Sequence, residues 1–213
     1  MKIAFIGFGS LGQQIKKMID QTYQTDINYV FFDDDLCNNK INTFYFPFNF
    51  YLKDKFVDYN FIVSLGYKHL GKKKAIIEEL QANKRKLFSF IHPTCYISPD
   101  ATVENGVIMY PCCVVDQSVS IGMGTILHNR VTISHDSKIA DNCYFSPGVI
   151  VCGNVNIGSS CFIGAGCIIS NNINIKDEVT IGIGSVVTMN LAIGSNVIGN
   201  PLRFLTNKKL RLQ

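Results

Sequence analysis

The sequence predicts two folds in one chain: an α/β unit over residues 1–90 and an all-β parallel coil of six-residue repeats over residues 91–213. Three observations carry this reading. An apolar residue returns at every sixth position for 17 positions in the C-terminal half, the first 19 residues read as strand, glycine turn and helix, and the two patterns do not overlap. At 213 residues the chain can bury a sizeable core in each part.

The N-terminal elements come first. Lys2–Ile6 is a short apolar strand, Gly7-Phe8-Gly9-Ser10-Leu11-Gly12 is a glycine turn, and Gln13–Ile19 has helical character. Glycines there allow a sharp turn and a close backbone approach, so a pyrophosphate fits against the helix N-terminus. A second strand, Tyr29–Phe32, runs into Asp33-Asp34-Asp35, at the distance where a carboxylate meets a ribose or base. A third, Asn60–Leu65, leads into Gly66-Tyr67-Lys68, and a basic helix spans about 71–85. Three strands and two helices make half of a dinucleotide-binding fold. The glycine pattern alone is compatible with a nucleotide sugar, with NAD or with a purely structural turn, and half a fold argues against a complete NAD site.

The second half is set by its period. Stepping by six from Ile97 through Ile133 and Ile163 to Ile193, all 17 residues are apolar. At 47% hydrophobic content, chance in one fixed phase has a probability on the order of 10⁻⁶. A helix cannot keep a strict period of six on one face, and an ordinary strand has a period of two. A three-sided parallel coil can. The large aliphatic fills the axis, a small residue two positions earlier (Cys95, Ala101, Val107, Cys113) fits the bend, and glycine one position after the aliphatic (Gly122, Gly158, Gly164, Gly182, Gly194) is expected to relieve the turn. Three hexads make one coil, so residues 18 apart stack at roughly 4.8 Å.

Composition excludes several classes. Net charge is +4 with 17% charged residues, and the basic residues gather in 68–86 and 203–211, so no broad nucleic-acid footprint is expected. No 18-residue apolar run suggests membrane insertion, and Met1–Gly7 enters a strand without a cleavable signal pattern, so a cytoplasmic location is expected. The eight cysteines contain no C-x-x-C pair. Cys95, Cys113, Cys143, Cys161 and Cys167 share the small-residue phase, which predicts reduced packing thiols and no metal site.

The hexad pattern, closing on Val197-Ile198-Gly199-Asn200-Pro201, resembles the hexapeptide-repeat acyltransferases. The resemblance implies a left-handed β-helix and a homotrimer. A half-Rossmann unit before such a coil is the domain order of bacterial sugar acetyltransferases of sialic-acid, bacillosamine and surface-polysaccharide pathways. It implies an acetyl-CoA-dependent acetyltransferase whose first domain holds a UDP- or TDP-linked amino sugar through Gly7, Gly9, Ser10, Gly12, Asp33, Asp34, Gly66 and Lys68. Leu11 stands where many relatives carry histidine.

Acyl transfer from a thioester needs a base near the nucleophile and donors for the oxyanion. Of four histidines, His69 reads as a basic-loop residue and His92 as a hinge residue before Pro93, while His128 and His135 lie in the coil. His135, in Ser134-His135-Asp136, stacks by the 18-residue ruler on Gly153. By resemblance His135 is the general base, Asp136 its orienting acid, and the Gly153 N–H the donor to the thioester oxygen. Tyr144 takes the place beside the acetyl-CoA sulfur where some relatives have histidine. The pantetheine is expected along Gly164-Ala165-Gly166 and Gly182-Ile183-Gly184, near Pro201, with Arg203, Lys208 and Lys209 toward the CoA phosphates. N-acetylation of a nucleotide-linked amino deoxy sugar is the expected reaction. O-acetylation of sialic acid or a surface polysaccharide, or a non-catalytic trimeric sugar-binding scaffold, are the alternatives.

Overall fold

The computed structural model describes residues 1–39 and 44–205. Its contacts divide the chain into two compact units, Met1–Phe90 and a second that begins at Ile91.

In the first unit β1 (Lys2–Ile6) buries Ile3, Ala4, Phe5 and Ile6 completely, as a central parallel strand covered on both faces must. Gly7 leaves the strand with φ +77° and α1 (Ser10–Thr22) follows, burying Gly12, Ile15 and Ile19 on one face. The remaining elements are β2 (Asn28–Phe32), α2 (Asp34–Asn39), β3 (Tyr45–Phe46), β4 (Asn60–Val63), α3 (Leu70–Ala82) and β5 (Lys86–Leu87). All five strands are parallel, in the order β3-β2-β1-β4-β5. The three-strand, two-helix expectation is therefore too small. The two-residue strands β3 and β5 and the six-residue α2 are too short to leave a periodic signature. Strand order reverses about β1, which opens a crevice at the C-terminal ends of β1, β2 and β4.

The second unit is a three-sided coil of two-residue strands. The first face runs from Tyr96–Ile97 through Val114–Val115, Thr132–Ile133, Ile150–Val151 and Ile168–Ile169 to Val186–Val187. The second face runs from Thr102–Val103 to Asn174–Ile175, and the third includes Ile108–Met109, Ile126–Leu127, Tyr144–Phe145, Phe162–Ile163 and Thr180–Ile181. Pairing is parallel with an offset of 18, as in Thr132 with Ile150 and Ile133 with Val151. The axial file is sealed: Ile133, Phe145, Val151, Ile163 and Ile169 are all 0% exposed. Each such side chain contributes roughly 1.5–3 kcal/mol by leaving water. Cys113, Cys143, Cys161 and Cys167 are equally buried in the small-residue phase.

Two expectations are corrected. Every sixth residue from Gly106 to Gly184 has a positive φ between +56° and +75°, and this left-handed position lies three residues after the axial one. The glycines directly after the axial residue serve another purpose. A Cβ on Gly122 would stand 2.5 Å from the Ala140 carbonyl carbon, so there the missing side chain allows adjacent coils to approach. The second correction is at the end of the file. Ile193 is 67% exposed, and Leu191 takes the axial place, pairing with Ile175. Thr180 and Ile181 then pair with Asn196 and Val197, an offset of 16. The last coil has lost two residues at one corner, and an unbroken six-residue count passes over that deletion.

Candidate active site

Ser134–Ser137 turn the corner between the first and second faces, and this corner carries His135. Asp136 occupies the left-handed position, with φ +60°, a conformation aspartate tolerates better than most residues. The Ser137 hydroxyl donates to the Cys152 carbonyl at 3.1 Å and accepts from the Val155 N–H at 3.1 Å, pinning the turn to the next coil. His135 is half exposed, and its Nδ1 lies 2.8 Å from Asp136 Oδ2. The shorter acid therefore reaches the ring. A carboxylate at Nδ1 selects the tautomer with its proton there, which leaves the Nε2 lone pair as an acceptor toward solvent-borne ligands.

The ring lies over the next coil as the 18-residue ruler requires. A Cβ on Gly153 would stand 2.5 Å from both Cε1 and Nε2 of His135, and the Asn154 N–H donates to the His135 carbonyl at 2.8 Å. Only glycine leaves the imidazole in this place. The Gly153 N–H, expected to face a thioester oxygen, is instead engaged: it donates to Asn171 Oδ1 at 2.9 Å. Asn171 belongs to the same column, one coil further on.

The residues expected to line the acyl donor are split from this corner. Gly164, Ala165, Gly182 and Ile183 form the corner between the third and first faces, so the whole width of the first face separates them from His135. A Cβ on Gly164 would meet the Ile183 nitrogen at 2.6 Å, and Ile183 itself is 66% exposed. Pro201 and Arg203 are exposed, with Arg203 in a short antiparallel strand against Asn196–Ile198. Lys208 and Lys209 lie outside the described residues.

Tyr144 is on the third face and buried, 2.6 Å through its hydroxyl from His128 Nε2. It does not join the His135 corner. His128 stacks on Tyr110, ring centroids 4.2 Å apart, and burial lowers its pKa to about 4, so it is neutral near pH 7. Burial also pushes the Tyr110 phenol upward. Sequence reasoning noted His128 only as a coil histidine. The 18-residue ruler does place it over Tyr110, but its bond to Tyr144 spans 16 residues and two different phases of the repeat.

In the first unit the crevice at β1, β2 and β4 holds a cavity of about 620 Å³ bounded by Gly7, Gly9, Ser10, Asp33, Gly66 and Lys68. Leu11, Asp35, Ser64, Leu65, Tyr67 and His69 complete its lining, so His69 faces a cavity where a surface loop was expected. Gly9 precedes α1 without a side-chain cap, and the first turn holds no acidic residue, so its amides suit an anion. Gly12 is a packing residue whose Cβ would stand 2.9 Å from Ser64 Oγ. Asp33 spends its carboxylate on the backbone, accepting from Phe8 N–H at 2.7 Å and Leu36 N–H at 3.2 Å. Asp34 accepts from Phe48 N–H at 2.8 Å and does not line the cavity, whereas Asp35 does. Among the described residues no cluster of three or more His, Cys, Asp or Glu has the geometry of a metal site, and no helix is long and apolar enough to cross a membrane.

These features were compared with known proteins. A family model described as the GMPPB C-terminal domain matches residues 89–202, more than half of the chain. No curated protein sequence matches. Among solved structures, the acetyltransferase domain of PglB from Neisseria gonorrhoeae FA1090 is 27% identical, with a TM-score of 0.84 over 96% of this chain and 99% of its own. The same domain has been solved in complex with acetyl coenzyme A. PerB from Caulobacter crescentus, in complex with CoA and GDP-perosamine, is 19% identical, with a TM-score of 0.84 over 97% of this chain and 98% of its own. WeeI from Acinetobacter baumannii AYE is 20% identical, with a TM-score of 0.85 over 96% of this chain and 100% of its own. The last two likenesses concern the fold. Taken with the coil and its register, the matches show that the chain belongs to the family of the GMPPB C-terminal domain and is an acetyltransferase of the hexapeptide-repeat, left-handed β-helix class.

Proposed function

We propose that the protein transfers an acetyl group from acetyl-CoA to the amino group of a nucleotide-linked amino deoxy sugar, by direct attack on the thioester with His135 as general base. The observation that carries this is the 2.8 Å contact of His135 Nδ1 with Asp136, which leaves Nε2 as the acceptor above Gly153. Nε2 takes the proton that the amine gives up as its nitrogen bonds to the acyl carbon, Asp136 holds the imidazolium formed, and collapse of the tetrahedral adduct breaks the C–S bond so that CoA leaves as a thiolate that takes up that proton. The nucleotide is assigned to the cavity at the N-terminus of α1, with the Gly9 and Ser10 amides as backbone donors, Gly7 in the wall with its N–H held by the Phe32 carbonyl, and Lys68 and His69 within the lining. Asp35 replaces Asp34 in the expected pair, because Asp34 is turned to the Phe48 backbone.

A homotrimer explains the split site. The first face carries Tyr96, Val114, Ile150 and Ile168 outward at 57%, 37%, 41% and 40% exposure, a column that is apolar apart from Thr132 on a coil whose second face is polar. His135 borders one edge of that column and Gly164–Gly166 the other. Copies packed through this face bring the histidine edge of one chain to the glycine edge of the next, where small residues leave room for pantetheine. We assign the trimer to the cytoplasm, where acetyl-CoA is made and used.

A thiol-release assay across UDP-, TDP- and GDP-linked amino sugars tests the function. His135→Ala should lower turnover by roughly 10²–10⁴-fold while leaving the assembly intact. Turnover retained by that variant would remove His135 from the mechanism, and reaction with hydroxyl acceptors alone would make the enzyme an O-acetyltransferase.

A further inference from the structure

Two of the three corners of this coil share one device. At axial-plus-two positions a side chain accepts the backbone N–H of the residue 18 earlier. Asp141 Oδ1 takes the Met123 N–H at 2.8 Å and Asp177 Oδ1 takes the Ser159 N–H at 2.8 Å, both on the corner between the second and third faces. On the histidine corner the same place in the same bond is held by Asn171, which takes the Gly153 N–H at 2.9 Å. Aspartate serves this coil equally well as an acceptor, so the fold itself does not call for an amide at 171.

The chemistry of the corner does. Oδ1 must face the Gly153 N–H, since only the oxygen accepts, and the planar amide therefore carries its two N–H donors on the other branch, at an exposed position. His135 lies over Gly153, and Asn171 follows one coil spacing beyond it, roughly 4.8 Å. A carboxylate there would oppose the negative charge that develops on an acyl oxygen at this corner, and an amide N–H stabilises it.

Resting on the reading of His135 as the base, we propose that Asn171 is a catalytic residue: its side-chain N–H, and not the backbone N–H of Gly153, donates to the acyl oxygen as the thioester is attacked. Asn171 would thereby fill two roles at once, tying Gly153 in place with its oxygen and stabilising the oxyanion with its nitrogen.

Two variants separate this from a purely structural role. Asn171→Asp keeps the acceptor, as Asp141 and Asp177 do, and replaces the donors by charge. Asn171→Ala removes both and releases the Gly153 N–H. Both variants are expected to unfold at a temperature close to the parent and to lose about 10²–10³-fold in kcat with KM for acetyl-CoA little changed. Wild-type or higher kcat in Asn171→Ala would return the oxyanion role to Gly153 and overturn the proposal. His135→Ala run in the same assay keeps the two ideas apart: a dead His135→Ala beside an active Asn171→Ala refutes only the role of Asn171, whereas an active His135→Ala refutes the base.

Discussion

Lowering the pH from about 7.5 to 5 should weaken the folded state through one side chain, His128. Its ring is wedged between Tyr110 and Tyr144, with Nε2 2.6 Å from the Tyr144 hydroxyl, and burial lowers its pKa from 6.5 to about 4. In the unfolded chain the imidazole protonates as the pH falls through 6.5, while the folded protein resists until about 4. The unfolded state thus binds more protons between those values, so stability is full above the unfolded pKa and declines as the pH falls. A gap of about 2.5 units corresponds to roughly 3 kcal/mol in the acid limit and about 2 kcal/mol at pH 5. Urea unfolding at matched protein concentration, for the parent and for His128→Gln, isolates this contribution, because glutamine cannot titrate there. The variant should lose about 2 kcal/mol less than the parent between pH 7.5 and 5. Parallel losses in the two proteins, or an NMR titration of the His128 ring centred near 6.5, would refute the argument.

Two further outcomes test the assignments made on the coil. Leu191→Ala should destabilise the protein by roughly 2–5 kcal/mol and Ile193→Ala by no more than about 0.5 kcal/mol, read by urea unfolding, because Leu191 is 2% exposed and Ile193 is 67% exposed. Lysine in place of Ile150 and Ile168 together should convert the proposed trimer into a smaller species in light scattering while the circular dichroism of the coil persists, since both side chains stand outward on the first face, and a mass unchanged from the parent would refute packing through that face.

The N-terminal unit shows how far local pattern carries. The glycine turn and the three longer strands were legible because each places a run of apolar residues or an unusual density of glycine within a few positions. The acidic run after β2 was legible as a site but not as individual roles. Which of Asp33, Asp34 and Asp35 faces the cavity depends on backbone N–H groups of Phe8, Leu36 and Phe48, and two of those donors come from distant parts of the chain. His69 was misplaced for a different, local reason: the single turn Tyr67–His69 after β4, too short to leave a periodic signature, carries it into the crevice.

By itself the sequence determined the coil, its 18-residue offset and the meeting of His135 with Gly153, because in a parallel coil of constant circumference the spacing along the chain dictates the neighbour in space. It also marked the strand, turn and helix that open the crevice at the start of the chain. Tertiary structure alone decided the rest. The offset of 16 at Leu191, the bond between His128 and Tyr144 and the separation of the glycine corner from the histidine corner are relations between phases or faces, and the capture of the Gly153 N–H by Asn171 is a choice of hydrogen-bond partner within one column. A period fixes which residues share a column, but it leaves open which donors a column spends on its own backbone and which face the coil turns to a neighbour.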